Sequence, residues 1–282
     1  MVKQLIITAD DFGAATEVNE AVERAHREGI LTAASLMVSA PAAADAVARA
    51  KTMPKLRVGL HLVLVDGRPT IRKCKLTHLV DENGDFRTNM ARSGAAMFFT
   101  PTGRAQLAVE ITAQFKAFAE TGLPLDHVNA HKHFHLHPTI ASMIVSIGKH
   151  FGLNGARAPL EPISVLKKIE PDTQRTGAML LTPFAKMLQT KFRKGGLTVP
   201  DQVFGLHWSG AMTKDRLKGI VENLPDGLSE IYMHPATGPY PGSAKGYRYP
   251  EELTALTDAQ TIEKIKSSGV TCGGFADFAA AQ

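Results

Sequence analysis

The apolar residues of this chain fall in short runs separated by helical stretches, and that alternation limits the available folds more than any other feature. Gln4-Leu5-Ile6-Ile7-Thr8-Ala9 has strand length and character, and it stops at the turn sequence Asp10-Asp11-Phe12-Gly13. A helix is expected from Thr16 to about Glu28, with Val18, Ala21, Val22 and Ala25 on one face and Gly29 as its stop. Leu31 to Val38 and Arg57 to Val63 repeat the strand pattern around an alanine-rich helix from Pro41 to Lys51. Parallel neighbours need a crossover and a helix supplies one, so three strands alternating with two helices predict a parallel sheet.

The same rhythm continues. Arg104 to Thr121 reads as a helix with Leu107, Ile111, Phe115 and Phe118 on one stripe, and Thr139 to Phe151 as another. Gly155 to Pro159, Val203 to Trp208, Ser229 to Pro235 and Gly269 to Gly273 read as strands. Lys214 to Asn223 and Asp258 to Ser267 read as helices, and the stretch rich in Gly, Pro and Tyr after Pro235 as a loop. With a strand ending in the histidine run below, about eight strand candidates predict an α/β fold, an irregular or incomplete (β/α) TIM-like barrel. One domain spanning residues 1–282 is expected, with irregular excursions at about 64–103 and 160–200.

Five of the eleven histidines lie between Asp126 and Pro138, at positions 127, 131, 133, 135 and 137, with Asn129 filling the gap. In an extended backbone, alternate side chains share a face. The run would then present a row of imidazoles, the commonest neutral metal ligands and acid–base groups near neutral pH. A strand advances about 3.3 Å per residue and Zn–N bonds are about 2.0–2.1 Å, so one or two of the five can share an ion. Other ligands must come from elsewhere.

Functional side chains in parallel α/β folds collect at the carboxyl ends of strands. Here those ends carry Asp10-Asp11, His61, His131 and His133, Arg157, His207 and His234. Each has a plain structural reading: Asp-Asp as a turn former, a lone strand histidine as a satisfied core residue. The repetition of titratable groups at strand ends favours a site. One Asp with two His would leave a divalent ion open positions for water and substrate.

Thr8-Ala9-Asp10-Asp11-Phe12-Gly13, Val58-Gly59-Leu60-His61-Leu62, His131-Lys132-His133-Phe134-His135 and Met233-His234-Pro235 together resemble the YdjC-type carbohydrate deacetylases. The resemblance runs in order over most of the chain. Within the family, residues 126–138 look most like the hopanoid-biosynthesis-associated deacetylases (HpnK). Many relatives carry Asp where this chain has Asn129, and a neutral amide there would weaken the pull on a ligand histidine.

The resemblance implies an irregular (β/α) barrel and one divalent metal on Asp11, His61 and His131. By similarity to carbohydrate deacetylases more widely, Asp10 would be the general base and His234 the general acid, with Arg157 steering Asp10. His133 and His135 would stand behind the ligands or line the substrate. The expected reaction is hydrolysis of an N-acetyl group on a glucosamine-type sugar, a hopanoid glycolipid intermediate among them. Nitrogen ligands favour zinc, with magnesium as the alternative.

Bulk properties narrow the partners. A net charge of +5 is spread along the chain with no basic block of the kind that forms a nucleic-acid arm. Cys74 and Cys272 cannot build a disulfide framework, and no Cys-x-x-Cys is present, so a cytoplasmic setting is the default. No apolar run approaches the ~18 residues needed to span a bilayer, and no signal core opens the chain. Pro183 to Lys194 places Phe184, Met187, Leu188 and Phe192 at helical spacing beside Lys186, Lys191, Arg193 and Lys194. The favoured reading is a helix covering the barrel; the other is a basic amphipathic helix on the inner membrane face. A homodimer is compatible with the sequence and is not specified by it.

Two rivals remain at this point. A metal-dependent phosphoesterase would call for a denser carboxylate cluster and two metals. A non-catalytic His-rich metal-binding protein would explain the 127–137 run but not the distant Asp10, Asp11 and His61.

Overall fold

The computed structural model describes residues 2–89, Gly94, 100–173 and 182–279. Among them seven strands form one parallel sheet: β1 (Lys3–Phe12), β2 (Ala33–Leu36), β3 (Arg57–Leu62), β4 (Val128–Ala130), β5 (Gln202–Phe204), β6 (Gly227–Met233) and β7 (Thr271–Cys272). The order is β4-β3-β2-β1-β6-β5, with β7 on β1. β1 is the centre. β6 pairs along it from Lys3 to Ala9, β7 takes Gln4 and Leu5, and β2 takes Thr8 to Phe12. A central strand covered on both faces must be apolar nearly throughout. Leu5, Ile6, Ile7, Ala9 and Phe12 are accordingly buried.

The sheet curls into a half-barrel that does not close. Residues 155–160 span the gap between the edge strands with isolated bonds. The Val128 N–H donates to Gly155 O (3.0 Å), Arg157 N–H to Val128 O (3.1 Å) and Val203 N–H to Leu160 O (2.9 Å). The short strand expected at Gly155 to Pro159 is therefore reduced to single bridges. Helices Thr16–Glu28, Ala43–Lys51, Pro101–Glu120, Pro138–Gly148, Thr182–Lys194, Lys214–Glu222 and Ala259–Ser267 fall close to expectation. On Pro101–Glu120 the stripe Leu107, Ile111, Phe115, Phe118 is buried as expected. Glu110 and Gln114 share that burial. Glu110 accepts the N–H groups of Thr70 and Ile71 and Gln114 bonds both backbone groups of Val63, which fastens the first excursion to the helix.

Four expectations need correction. The Gly/Pro/Tyr-rich stretch contains a helix, Tyr249–Thr257, and the second excursion another, Ile163–Ile169. The strand expected to reach Trp208 stops at Phe204. Gly205 turns with φ +125°, and Glu161 accepts the N–H groups of Gly205, Leu206 and His207 that a ladder would have used. The histidine run is not one extended strand either. β4 ends at Ala130, where its partner β3 ends at Leu62, and His131–Leu136 winds into 3-10 turns with Lys132 and His133 left-handed (φ 53° and 54°). The five imidazoles therefore do not share a face. The parts of the excursions at 90–93, 95–99 and 174–181 lie outside the described residues.

Candidate active site

A cavity of about 790 Å³ opens at the carboxyl ends of the strands. Asp10, Asp11, His61, His131, His133 and His234 all line it, although they come from β1, β3, the turn after β4, and the end of β6. Adjacent strand residues ordinarily face opposite ways. At Asp11 the backbone is left-handed (φ 62°) and the β1–β2 register shifts, so both carboxylates reach the same mouth. Asp11, Lys132 and His133 are non-glycine residues in the left-handed region, a cost concentrated at this mouth.

Asp11 meets two imidazoles. Its Oδ1 lies 3.2 Å from His61 Nε2 and 3.2 Å from His131 Nδ1. Ligand atoms from the three residues all fall within 4.8 Å of one another, and this group could hold a metal ion. Burial raises the Asp11 pKa, but His131 and His61 more than offset it and hold the carboxyl well below its usual range.

The tautomer of His61 can be read from its neighbours. Asn129 Nδ2 donates to Asp10 Oδ1 (2.9 Å) and Ser35 Oγ (2.9 Å), which uses both amide hydrogens. Its Oδ1 must then accept from His61 Nδ1–H, at 2.6 Å. A neutral His61 therefore turns the lone pair of Nε2 toward Asp11, and among the described residues that buried nitrogen has no hydrogen-bond donor. Two acceptors facing each other at 3.2 Å call for a cation between them: a proton on Nε2, which Asp10 and Asp11 favour by raising the His61 pKa against its burial, or a metal ion that displaces it. A tetrahedral ion about 2.1 Å from each would hold them roughly 3.4 Å apart. The donor set fits a divalent metal.

Asp10 is held differently. Arg157 Nη1 donates to Oδ2 (2.5 Å) and Nη2 to Oδ1 (3.0 Å), while Arg157 also grips Glu230 through Nε and Nη2. The Arg157 and Glu230 side chains are fully buried and that of Asp10 is 3% exposed. The Arg157 guanidinium lies 4.4 Å from the centre of the Tyr232 ring. Burial alone would raise the Asp10 pKa; Arg157 and then His61 overcome it and keep the group ionised.

On the β6 side, the His234 backbone N–H donates to Glu252 Oε2 (2.5 Å), and the ring sits between Tyr232 and Tyr247, 5.7 and 5.2 Å away. Burial lowers its pKa, and the attraction of Asp11 and Asp10 only partly restores it. Glu252 also takes the Met212 N–H, and its burial pushes its own pKa up to about 7.

The structure thus brings Asp10, Asp11, His61, Asn129, His131, Arg157 and His234 together. His133 lines the cavity and bonds Tyr232 Oη through Nε2 (2.8 Å); burial takes its pKa down to about 3. His135 is fully buried, and among the described residues neither ring nitrogen has a hydrogen-bond partner. His207 is carried in the loop beyond β5 with its ring against Trp208, and it does not line the cavity. Sequence reasoning missed Glu230, Ser35, Glu252 and the tyrosines at 232, 240, 247 and 249. A glutamate at the centre of the apolar run 228–233 was the one available signal, since a buried charge needs a partner.

The family profile described as YdjC-like protein matches residues 4–267. The chain belongs to the YdjC-like family. A relative from Geobacillus stearothermophilus named carbohydrate deacetylase is 30% identical over 99% of both chains. One of the same name from Brevibacillus brevis is 28% identical over 97% of this chain and 99% of its own. A third, from Vibrio cholerae, is 36% identical over 52% of this chain and 56% of its own. A solved structure from Enterococcus faecalis V583, described as a candidate cellobiose-phosphate cleavage protein, superposes with a TM-score of 0.77. It covers 99% of this chain and 100% of its own at 21% identity, and so bears on the fold alone.

Proposed function

We propose that this YdjC-like protein is a hydrolase that removes an N-acetyl group from a glucosamine-type sugar. The observation that carries the reading is a three-donor group, Asp11, His61 and His131, sharing one cavity with an ionised Asp10 and with His234. The names of the full-length relatives support a carbohydrate substrate.

Asp11, His61 and His131 would hold one divalent ion, zinc being favoured by two imidazoles and a carboxylate. When bound, such an ion supplies Lewis acidity toward a carbonyl oxygen and a water. Asp10 accepts the proton of the attacking water; Arg157 fixes the carboxylate in place and keeps it ionised before attack. An amide nitrogen leaves poorly until protonated, and His234 donates that proton. Its lowered pKa makes the imidazolium a stronger acid but the minority form, so the ring takes up a proton from solvent before giving it to the leaving nitrogen. Tyr240, Tyr247 and Tyr249 form an aromatic wall on which a sugar ring can lie.

Asp10→Asn should keep zinc and lose at least ~100-fold in acetate release from N-acetylated chitooligosaccharides, whereas His131→Ala should lose both. Wild-type turnover in Asp10→Asn would remove the base assignment. A finer reading is a glycolipid substrate, a hopanoid intermediate among them, presented at a membrane. Phe184 lines the cavity, and Phe184 and Met187 are each 47% exposed on the helix that carries Lys186 and Lys191. Among the described residues no helix is long and apolar enough to cross a membrane, so contact would be peripheral. Co-sedimentation with anionic vesicles should drop in Lys186→Glu/Lys191→Glu; unchanged binding counts against it.

A further inference from the structure

Behind the cavity, hydrogen bonds link six side chains in one direction. Asp126 starts the chain. It accepts the N–H groups of Phe275 (3.1 Å) and Ala276 (2.9 Å), and its Oδ2 lies 2.9 Å from His127 Nδ1. A carboxylate only accepts, so His127 Nδ1 carries the hydrogen. His127 Nε2 lies 3.0 Å from Ser35 Oγ. Among the described residues the Ser35 hydroxyl meets two partners, this nitrogen and the Asn129 amide. The amide donates to Ser35, so the hydroxyl hydrogen must go to His127 Nε2. From Ser35 the order is fixed as far as His61: Asn129 donates to Ser35 and Asp10 and accepts from His61 Nδ1.

Five of these six side chains are at most 2% exposed, and Asp126 is 3% exposed. Bulk solvent therefore does not reach these groups. The chain also has no room to rearrange. A Cβ on Gly59 would lie 2.5 Å from the His127 ring, which stacks on Phe275 at 4.4 Å. A donor or acceptor reversed at any point would leave two like groups facing each other in a dry interior.

We infer that Asn129, oriented by Ser35 and His127, is a positioning residue that sets the His61 tautomer while holding Asp10, coupling the proposed base to the ion-binding group. Among the described residues Asn129 is the one side chain bonded to both Asp10 and His61. An aspartate at 129 could accept from His61, but it has no hydrogen to give Asp10 or Ser35. The amide is therefore specific to this arrangement and is not a weakened version of a carboxylate. Ser35 and His127 touch neither cavity nor ion-binding group, and act only through Asn129.

The inference rests on the reading of Asp11, His61 and His131 as ligands, so its test separates the two. In metal-free protein labelled with ¹⁵N-histidine, at a pH high enough for the ring to be neutral, His61 should show Nδ1 protonated and Nε2 bare. Zn²⁺ titration against a chromophoric chelator should then show about 10- to 100-fold weaker binding in Asn129→Leu. Ser35→Ala should weaken it less, in the same direction, with Ser35→Thr restoring it. Circular dichroism checks folding. A neutral His61 whose single proton sits on Nε2 in the wild type would overturn the inference. So would zinc affinity and His61 signals unchanged in both Asn129→Leu and Ser35→Ala. If wild-type protein bound no zinc yet showed the expected tautomer and its loss in Asn129→Leu, the tautomer control would stand and the ligand reading would fall.

Discussion

Removing Arg157 tests the electrostatics of the barrel interior directly. Its guanidinium bonds both oxygens of Asp10 and both of Glu230, with no solvent reaching Arg157 or Glu230. Arg157→Leu leaves two buried carboxyls without their principal counter-charge. The fold can keep them only by taking up a proton. Doing so at pH 7, about three units above an ordinary carboxyl pKa, costs about 4 kcal/mol, in line with the ~3–5 kcal/mol seen when a buried pair loses one partner. That corresponds to a drop in Tm on the order of 10 °C. The sign with pH follows. In the wild type the Asp10 pKa is depressed, so its stabilisation is present above the unfolded value and lost as pH falls through the folded one. In the variant the carboxyl pair holds a proton that the unfolded chain releases above ~4, so stability falls as pH rises. The gap between the two proteins should therefore shrink from about 4 kcal/mol at pH 7 to ~1–2 kcal/mol at pH 5. Urea unfolding in the presence of a chelator measures it at both pH values. Adding Asp10→Asn and Glu230→Gln to Arg157→Leu removes the charges and should recover most of the loss. A gap independent of pH, or no recovery in the triple variant, would refute the reasoning.

Other outcomes follow from the same structure. Glu252 has its pKa raised to about 7 from 4.5, so its contribution is present below pH 4.5 and lost as pH rises through 7. Across that window wild-type stability should fall relative to Glu252→Gln by on the order of 3 kcal/mol, and parallel curves would contradict it. Gly59→Ala forces a methyl to 2.5 Å from the buried His127 ring and should cost ~1–3 kcal/mol in denaturant unfolding; a neutral result would mean the interior has slack. Zinc at 100 times its Kd should stabilise the wild type by ~2.7 kcal/mol and His131→Ala not at all, as read by thermal melts; equal stabilisation would place the ion elsewhere.

Local patterns carried much of the outcome. The apolar run ending in Asp10-Asp11, the helix beginning at Thr16 and the Gly59-Leu60-His61 strand could be read directly, because strand and helix periods are properties of adjacent residues. The same run of residues placed acid and imidazole groups at strand ends, which in a parallel fold gather at one mouth. Periodicity failed at the histidine run. Alternation implies a shared face only while a neighbouring strand keeps the chain extended, and β3 ends opposite Ala130. It also failed in the Tyr-rich stretch, where Pro250 sits in the first turn of a helix and does not break one.

The sequence by itself determined that parallel strands would carry Asp10, Asp11, His61, His131 and His234 to a common end. Only the tertiary structure decided who bonds to whom there. Arg157 finds Glu230 across 73 residues and Asn129 finds Asp10 across 119. Such pairings depend on how far the sheet curls, and on which buried groups are left needing a partner once water is gone. Neither quantity is local, so neither is written in the spacing of residues along the chain.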